Sequence, residues 1–264
     1  MRLPIGFWGS MFIVLLLAVT TAAQSCVHHG TTAVATRPTF SNSTETVQCG
    51  LVELEYGYSR QSAVAGASSA VSSTVHMGIT PRLDVRWSLD NVLFTGAGRE
   101  QHSGIGDAWL GARYRFNEQR GRAPSLGILY QIKLPLASTA KQQGSGFVDH
   151  SLGLLASKDI GRTHLDTNAV WTALGSVKGT SSGTMGALAI SRPIRGRLSG
   201  IVEAYGGKQE RASAALMTAI SWRWSDRLLT DIGVERGFWG SGNRTRLTFG
   251  MTYALTNIYR VFGS

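Results

Sequence analysis

The sequence predicts an all-β fold, a single closed antiparallel transmembrane β-barrel of about 12 strands that follows a cleaved signal peptide. Three observations support this prediction. Most of the predicted strands are about nine to twelve residues long, the links between them alternate in length, and aromatic residues lie near the ends of the apolar strand faces. A tilted strand needs about 9–11 residues to cross a bilayer, whereas strands of globular proteins average about 5–6.

Residues 82–90, RLDVRWSLD, show the alternation clearly. One face carries Leu83, Val85, Trp87 and Leu89, and the other carries Arg82, Asp84, Arg86 and Ser88. Alternation alone also fits a soluble sandwich. In a membrane barrel the apolar face contacts lipid and the charged face lines the interior. Strand length and link length favour the barrel.

The N-terminus resembles a secretory signal. Residues 11–19 are apolar and are followed by small residues, which predicts a signal peptide at 1–23 cleaved near Ala23. The apolar run is short for a membrane-spanning helix, although a membrane anchor is the alternative. Cys26 would permit a lipoprotein, but Gln24 and Ser25 fit a lipid-attachment motif poorly. We therefore expect export to the bacterial outer membrane of a Gram-negative cell.

Residues 24–46 are rich in Ser, Thr and Ala and show no period. We interpret them as a flexible periplasmic leader or a partial plug, with the barrel at 47–264. The two cysteines, Cys26 and Cys49, could form a disulfide in an oxidising periplasm and tie the leader to the first strand. The sequence leaves this pairing open, because it does not give the distance between the two cysteines.

Alternation and turn residues give the strands in order. They are predicted at 50–59, 73–79, 82–90, 105–116, 124–135, 149–157, 163–173, 183–192, 197–205, 212–224, 228–236 and 244–255. The longer links are 60–72, 91–104, 136–148, 174–182, 206–211 and 237–243, and the shorter ones are 80–81, 117–123, 158–162, 193–196 and 225–227. Outer-membrane barrels have short periplasmic turns and longer external loops, so both termini would be periplasmic.

Aromatic residues of the apolar faces form two predicted girdles, as at membrane interfaces. The external girdle contains Tyr56, Tyr58, Trp87 and Trp171, and the periplasmic girdle contains Tyr114, Phe116, Trp222, Trp224 and Tyr253. The alternative explanation is that aromatic residues simply favour strands.

The opposite faces carry both signs of charge and are predicted to line the lumen. The candidates are Glu53, Glu55, Arg82, Asp84, Arg86, Arg113, Arg115, Lys133, Asp166, Glu203, Arg223, Asp231, Glu235, Arg244 and Arg246. They could form ion-pair ladders that satisfy a polar interior, or surplus Arg and Lys could favour anionic or polar-aromatic solutes. A barrel of this strand number would be narrow or partly plugged.

The formal net charge of +10 raises the question of partners. Because Lys and Arg are scattered rather than clustered, we expect no nucleic acid partner and favour outer-membrane lipids or an anion-favouring lumen. An enzyme is the competing class, since some barrels hydrolyse lipids. His150, Ser151, His164 and Asn168 are the nearest candidates, but parity places His150 and His164 on opposite faces, and no catalytic or phosphate-binding motif occurs. We expect no catalytic residues, metal or cofactor.

Four segments resemble a known family. RPTFSNSTETVQCGLVELEYGYS (37–59), GITPRLDVR (78–86), GIGDAWLGARYRF (104–116) and GSGFVDHSLGLLASKDIG (144–161) are similar, in order, to outer-membrane transporters grouped with the meta-pathway of phenol degradation. KLPLA (133–137) departs from the Pro-Thr-Gly usual there. The resemblance implies a porin-like barrel for passive uptake or efflux of small hydrophobic or aromatic solutes, and no catalytic residues. The alternative is a structural barrel without transport.

The last strand supports assembly in a membrane. Residues 248–255, TFGMTYAL, have a polar-x-Gly-x-x-apolar-x-apolar pattern resembling the signal read by the barrel-assembly machinery. The chain continues for nine residues beyond it, whereas such signals usually end the protein.

Overall fold

The computed structural model describes residues 26, 31–63, 66–95, 102–141, 143–208, 212–240 and 244–258. The signal peptide predicted at 1–23 lies outside the described residues. No helix among the described residues is long and apolar enough to cross a membrane. The described chain is dominated by thirteen β-strands in one sheet.

Most of the strands are joined to the next one along the chain by a short link. They are β1 (Leu51–Ala63), β2 (Gly66–Thr80), β3 (Leu83–Thr95), β4 (His102–Gly104), β5 (Ala108–Asn117), β6 (Ser125–Leu134), β7 (Asp149–Ile160), β8 (Thr163–Ser176), β9 (Gly179–Arg195), β10 (Leu198–Lys208), β11 (Ala212–Ser225), β12 (Leu228–Gly240) and β13 (Arg244–Asn257).

The sheet closes into a barrel because the last strand pairs antiparallel with the first, from Leu51–Asn257 to Ala63–Arg244. The strand predicted at 105–116 begins later, at Ala108, as β5, and the short strand β4 lies in the segment predicted as the preceding link. The strand β4 pairs with the end of β3, and β5 pairs with the beginning of β3. Since β4 and β5 together occupy one strand position in the wall, the barrel has twelve strand positions. The predicted fold class is confirmed.

The two ends of the barrel differ. One end, called here the terminus end, holds Gly50, Asn257 and the turns at 81–82, 161–162, 196–197 and 226–227. The opposite end, called the loop end, holds the link at 135–148. Each strand between the two ends is antiparallel to its neighbours, so strands at successive positions in the barrel run in opposite directions.

The predicted difference in link length is wrong for most of the loop end. The link predicted at 60–72 shrinks to 64–65, and the one predicted at 174–182 shrinks to 177–178. The strands extend instead, and β1 and β2 remain paired up to Ala63 and Gly66. The extension is rich in Ser, Ala and Gly, so its two faces differ little in polarity. The backbone ladder does not need that contrast, which is why alternation failed to detect these residues.

The outer surface of the barrel is apolar around its circumference. Trp87 and Ile232, for example, leave 50% and 54% of their surface exposed. The fully buried large side chains include Arg113, His76, Glu53, Glu203, Glu235 and Asp84. This is the reverse of a soluble protein, in which charged groups are almost never fully buried and large exposed apolar patches are rare. The distribution is that of a transmembrane β-barrel.

The predicted aromatic girdles lie on the outer face but differ in position. Trp222 and Trp224 are exposed close to the end of β11 at Ser225, as expected for the terminus end. At the loop end the prediction of terminal positions is wrong, because β3 continues eight residues past Trp87, to Thr95. Trp239, near the end of β12, is exposed at that level instead.

Candidate functional site

Residues 31–48, called here the leader segment, cross the interior of the barrel. They contain no strand, yet they hydrogen-bond to side chains of β1, β3, β6, β7, β8, β10 and β13. A segment that contacts walls on all sides of a closed barrel must lie within it. An extended segment without a ladder needs other acceptors for its amides, because unpaired buried amides are costly.

Carboxylates of the barrel wall accept these amides. Val34 donates its backbone N–H to Glu53 Oε2 at 2.7 Å, and Thr36 donates to Glu55 through its N–H at 2.6 Å and its hydroxyl at 2.7 Å. Within the described chain Glu53 forms no ion pair. These two glutamates, predicted from parity to face the lumen, therefore hold the leader segment against β1.

Glu203 binds the middle of the leader segment from the other side of the barrel. Its two carboxylate oxygens accept the N–H groups of Phe40 at 2.8 Å and Ser41 at 2.6 Å. The Phe40 ring stacks on Tyr205, with ring centroids 5.1 Å apart. Glu203 is fully buried, so both hydrogen bonds are shielded from solvent. Glu203 thus fixes the position of the Phe40 ring.

Polar side chains fix the rest of the segment. Asn42 donates its N–H to Asn168 Oδ1 at 2.6 Å and accepts from Arg86 at 2.6 Å. The N–H of Thr44 donates to Ser157 Oγ at 2.8 Å. Val47 donates its N–H to Asp84 at 3.1 Å. The contacts therefore extend along the whole segment rather than at one anchor.

Arg37 of the leader segment packs against two glycines of the barrel wall. Its guanidinium donates to Thr248 Oγ1 at 2.7 Å and lies 3.5 Å from the Asp231 carboxylate. It packs over Gly57 and Gly250, which pair across β1 and β13. A Cβ at either glycine would overlap the guanidinium, so a larger residue there would force the end of the Arg37 side chain to move.

Most predicted lumen cations have acidic partners. Arg113 donates to Asp84 Oδ2 at 2.6 Å and both are fully buried. Lys133 lies 2.5 Å from Asp149 and 3.7 Å from Asp107. A further group sits towards the loop end, where Glu235 pairs with Arg244 and Arg246. Pairing of this kind neutralises the interior locally, and it gives no support to a surplus of free cations.

The remaining predicted lumen residues lie nearer the terminus end. Arg115 donates to the Pro81 carbonyl at 2.9 Å, and Arg223 donates to the carbonyls of Asp226 and Ala33 at 3.3 Å. Asp166 accepts from Ser157 Oγ at 2.6 Å. Arg82 differs from the expectation: because β3 begins at Leu83, it lies exposed in the turn 81–82 and not on the inner face.

Ionisable wall residues that the sequence analysis did not place in the interior include His76, Asp107 and Asp149. His76 is fully buried with Nε2 3.5 Å from Glu55, and Asp107 and Asp149 are the partners of Lys133. His76 lies in the Ser-rich part of β2, whose alternation is weak. The alternation of the sequence places Asp149 on the inner face, and this placement could have indicated an acidic partner for Lys133.

Two cavities lie on either side of the leader segment in the described part of the interior. The cavity on the loop-end side has a volume of about 270 Å³, and the one on the terminus-end side has about 340 Å³. The loop-end cavity is lined by Phe40, Asn42, Ser88, Trp109, Leu129, Gln131, Ser151, Gly153, Leu155, Asn168, Val170 and Thr172. None of these side chains is ionisable. The terminus-end cavity, in contrast, includes Arg37, Glu45, His164, Asp166, Arg197, Arg223 and Asp231.

The β6–β7 link, at 135–141 and 143–148, folds against the loop end. Ala137 donates its N–H to Asp107 at 3.0 Å, and Gln143 donates to the Leu93 carbonyl at 3.1 Å. Lys133 donates to Ser145 at 2.8 Å. The link therefore covers the part of the wall beside β4, which pairs with β3 alone.

A disulfide joins Cys26 to Cys49, and both residues are fully buried. Cys49 lies beside Gly78 at the terminus end, immediately before β1. The chain from Cys26 to Cys49 is thus a covalently closed loop with both ends at the terminus end. The leader segment belongs to this loop.

The residues considered for hydrolysis do not form a catalytic group. His150 is exposed on the outer face, where Nδ1 lies 2.6 Å from the Tyr130 hydroxyl, whereas Ser151 lines the loop-end cavity. His164 pairs with Asp159 and Asp166 near the terminus end. Asn168 is engaged with the leader segment.

No protein-family model matches the chain, and no curated protein matches it in sequence. Solved structures do. An outer-membrane channel from Pseudomonas putida F1 superposes with a TM-score of 0.61 at 14% identity, covering 83% of this chain and 100% of that chain. The KdgM porin superposes with a TM-score of 0.55 at 10% identity, covering 77% of this chain and 99% of that chain. The NanC porin superposes with a TM-score of 0.53 at 9% identity, covering 76% of this chain and 100% of that chain. The chain therefore has the fold of outer-membrane channels and porins.

Proposed function

We propose that this protein is an outer-membrane channel for passive passage of small, uncharged, partly apolar solutes, with the leader segment acting as a plug. The observation that carries the proposal is the loop-end cavity. It is an interior space whose lining contains no ionisable side chain, and Phe40, Trp109, Leu129 and Val170 supply its apolar surface. A solute with a formal charge would lose its hydration there without gaining a counter-ion.

The outer-membrane location rests on the exposed apolar face and on the fold. A continuous apolar surface of this extent would aggregate in water, and closed barrels are the β-structures that satisfy their backbone in lipid. The predicted signal peptide would deliver the chain to the periplasm, which would place the terminus end there and the loop end outside. The barrel-assembly machinery is the partner expected for insertion.

The lining of the loop-end cavity suggests aromatic solutes. An apolar cavity of about 150 Å³ can hold benzene, so about 270 Å³ accommodates one substituted ring. Gln131, Asn168 and Ser151 offer hydrogen bonds to a hydroxyl or carbonyl substituent. The resemblance to the meta-pathway transporters of phenol degradation agrees with this choice of solute. It makes phenol and its methylated derivatives the first compounds to test.

The test uses full-length mature protein in planar bilayers and compares phenol with benzoate, its charged counterpart. We expect phenol to reduce the ion current in a saturable manner and benzoate to have a much weaker effect. Trp109→Ala removes the largest apolar side chain of the cavity and should weaken block by phenol about two- to tenfold, as expected when an aromatic contact of about 0.5–1.5 kcal/mol is lost. Trp239→Ala, on the outer face, is the matched control.

The alternatives predict other results. A structural barrel would show neither conductance nor solute-dependent block in bilayers that contain verified, heat-modifiable barrel. An ion-selective pore for anions would be blocked by benzoate at least as well as by phenol. Either result contradicts the proposed passage of uncharged solutes.

A further inference from the structure

Every tight connection at the terminus end carries exposed arginine. The residues, called here the arginine rim, are Arg82, Arg120, Arg122, Arg162, Arg192, Arg195, Arg197 and Arg227. They lie in or next to the turns that join β2 to β3, β5 to β6, β7 to β8, β9 to β10 and β11 to β12. Since these turns follow one another around the barrel, the cations surround the terminus end rather than forming a patch on one side.

Most of the rim is unneutralised by the protein. In the described chain the guanidinium groups of Arg120, Arg162 and Arg192, for example, have no hydrogen-bond or ion-pair partner, unlike Arg197, which donates to the Trp224 carbonyl. Asp226 is one acid beside eight arginines in these connections, and two other nearby acids are engaged elsewhere. Glu118 pairs with Arg115 at 3.3 Å. Asp159, on the β7–β8 hairpin, pairs with His164. The rim therefore presents net positive charge.

The densest part of the rim is the β9–β10 hairpin. Arg192 lies on the outer face between Ile190 and Ile194, which are 41% and 60% exposed, and Arg195 follows at the end of β9. Trp222, two strands away, marks the same level, because it pairs with Leu198 and Leu198 pairs with Arg195. An arginine at the edge of an apolar belt and beside tryptophan extends its guanidinium into the headgroup region.

We propose that the arginine rim binds the phosphates of anionic phospholipids in the leaflet around the terminus end, with Arg192 and Arg195 as its principal site. The proposal rests on the outer-membrane location proposed above. A guanidinium binds a phosphate through two parallel hydrogen bonds and keeps its charge at all relevant pH values. An anionic headgroup also supplies negative charge that balances the positive charge of the rim. The phosphates of lipid A are the alternative source, and the experiment separates the two.

The experiment measures lipid preference with full-length mature protein in vesicles. Trp87, Trp171 and Trp239, the other exposed tryptophans, are replaced by phenylalanine, so that Trp222 and Trp224 report from the rim. Quenching by brominated phosphatidylglycerol is compared with quenching by brominated phosphatidylcholine. We expect preference for phosphatidylglycerol, and R192Q together with R195Q should reduce it by about fivefold per charge removed. The control pair is R60Q with R236Q, two exposed arginines nearer the loop end.

Several results would overturn the inference. These are equal quenching by both lipids, a preference that survives R192Q/R195Q, and an equal loss in the control pair. Displacement by lipid A that depends on the control pair would assign phosphate binding to the loop end instead. Conductance is recorded on the same samples. A preserved lipid preference without conductance would contradict the channel alone, whereas conductance without lipid preference would contradict the rim alone.

Discussion

Replacing Glu203 with alanine should release the middle of the leader segment and open the barrel. Glu203 accepts two backbone N–H groups, from Phe40 at 2.8 Å and Ser41 at 2.6 Å, and no other side chain is shown to accept them. Hydrogen bonds to charged groups contribute about 1.5–3 kcal/mol each. The docked position should therefore lose about 3–6 kcal/mol, which is about two orders of magnitude or more in the ratio of docked to undocked segment.

Single-channel recording in planar bilayers measures this effect. We expect Glu203→Ala to show larger and longer openings than the wild type. Glu203→Gln should be intermediate, since its amide keeps one uncharged acceptor oxygen. Ser199→Ala is the control, because Ser199 lies on the inner face of the same strand and does not bind the leader segment. If Glu203→Ala folds into a heat-modifiable barrel and conducts like the wild type, the leader segment does not limit conduction.

Two further predictions concern the same interior, and a third concerns the exposed turn at Arg82. Replacing both Cys26 and Cys49 with serine opens a covalent loop with a sequence separation of 23, and loops of such size typically stabilise by about 3 kcal/mol. We therefore expect faster cleavage of the leader segment by trypsin, and unchanged cleavage would show that the side-chain contacts suffice. Asp84→Ala leaves Arg113 buried without its carboxylate, which should cost about 3–5 kcal/mol in urea unfolding in micelles. Arg82→Gln, in an exposed turn, should change the free energy of unfolding by less than about 0.5 kcal/mol, and a large loss there would contradict its placement.

The face of each strand could be predicted from the sequence where polarity alternates strongly. Residues 82–90 show this, since Asp84 and Arg86 are buried inside while Trp87 is exposed outside. Strand ends could not be predicted where small polar residues occupy both faces. The ladder of β1 and β2 therefore continues through residues 60–63 and 66–72, where the sequence predicts a loop.

The path of the leader segment could not be predicted, because its partners are distant in the chain and it has no period. Phe40 and Glu203 are separated by 163 residues. A signal was nevertheless present. Parity predicts that Glu53, Glu55 and Glu203 face the interior, where ion pairs with neighbouring strands are one of the two expectations. In the structure Glu53 and Glu203 accept amides of the leader segment instead. Buried acids without a cation on an adjacent strand therefore indicate a segment that brings donors into the lumen.

The contacts of the leader segment also support the proposed position of an uncharged solute. An extended segment in a barrel offers amide donors along its length, and a carboxylate accepts two of them, so docking concentrates acids where the segment touches the wall. Glu53 and Glu55 serve this purpose on β1. The strands β5 to β8 face the loop-end cavity with Trp109, Leu129, Leu155 and Val170, and need no such acceptors. The lining of the loop-end cavity therefore contains no ionisable side chain, and this cavity is the proposed binding region for the solute.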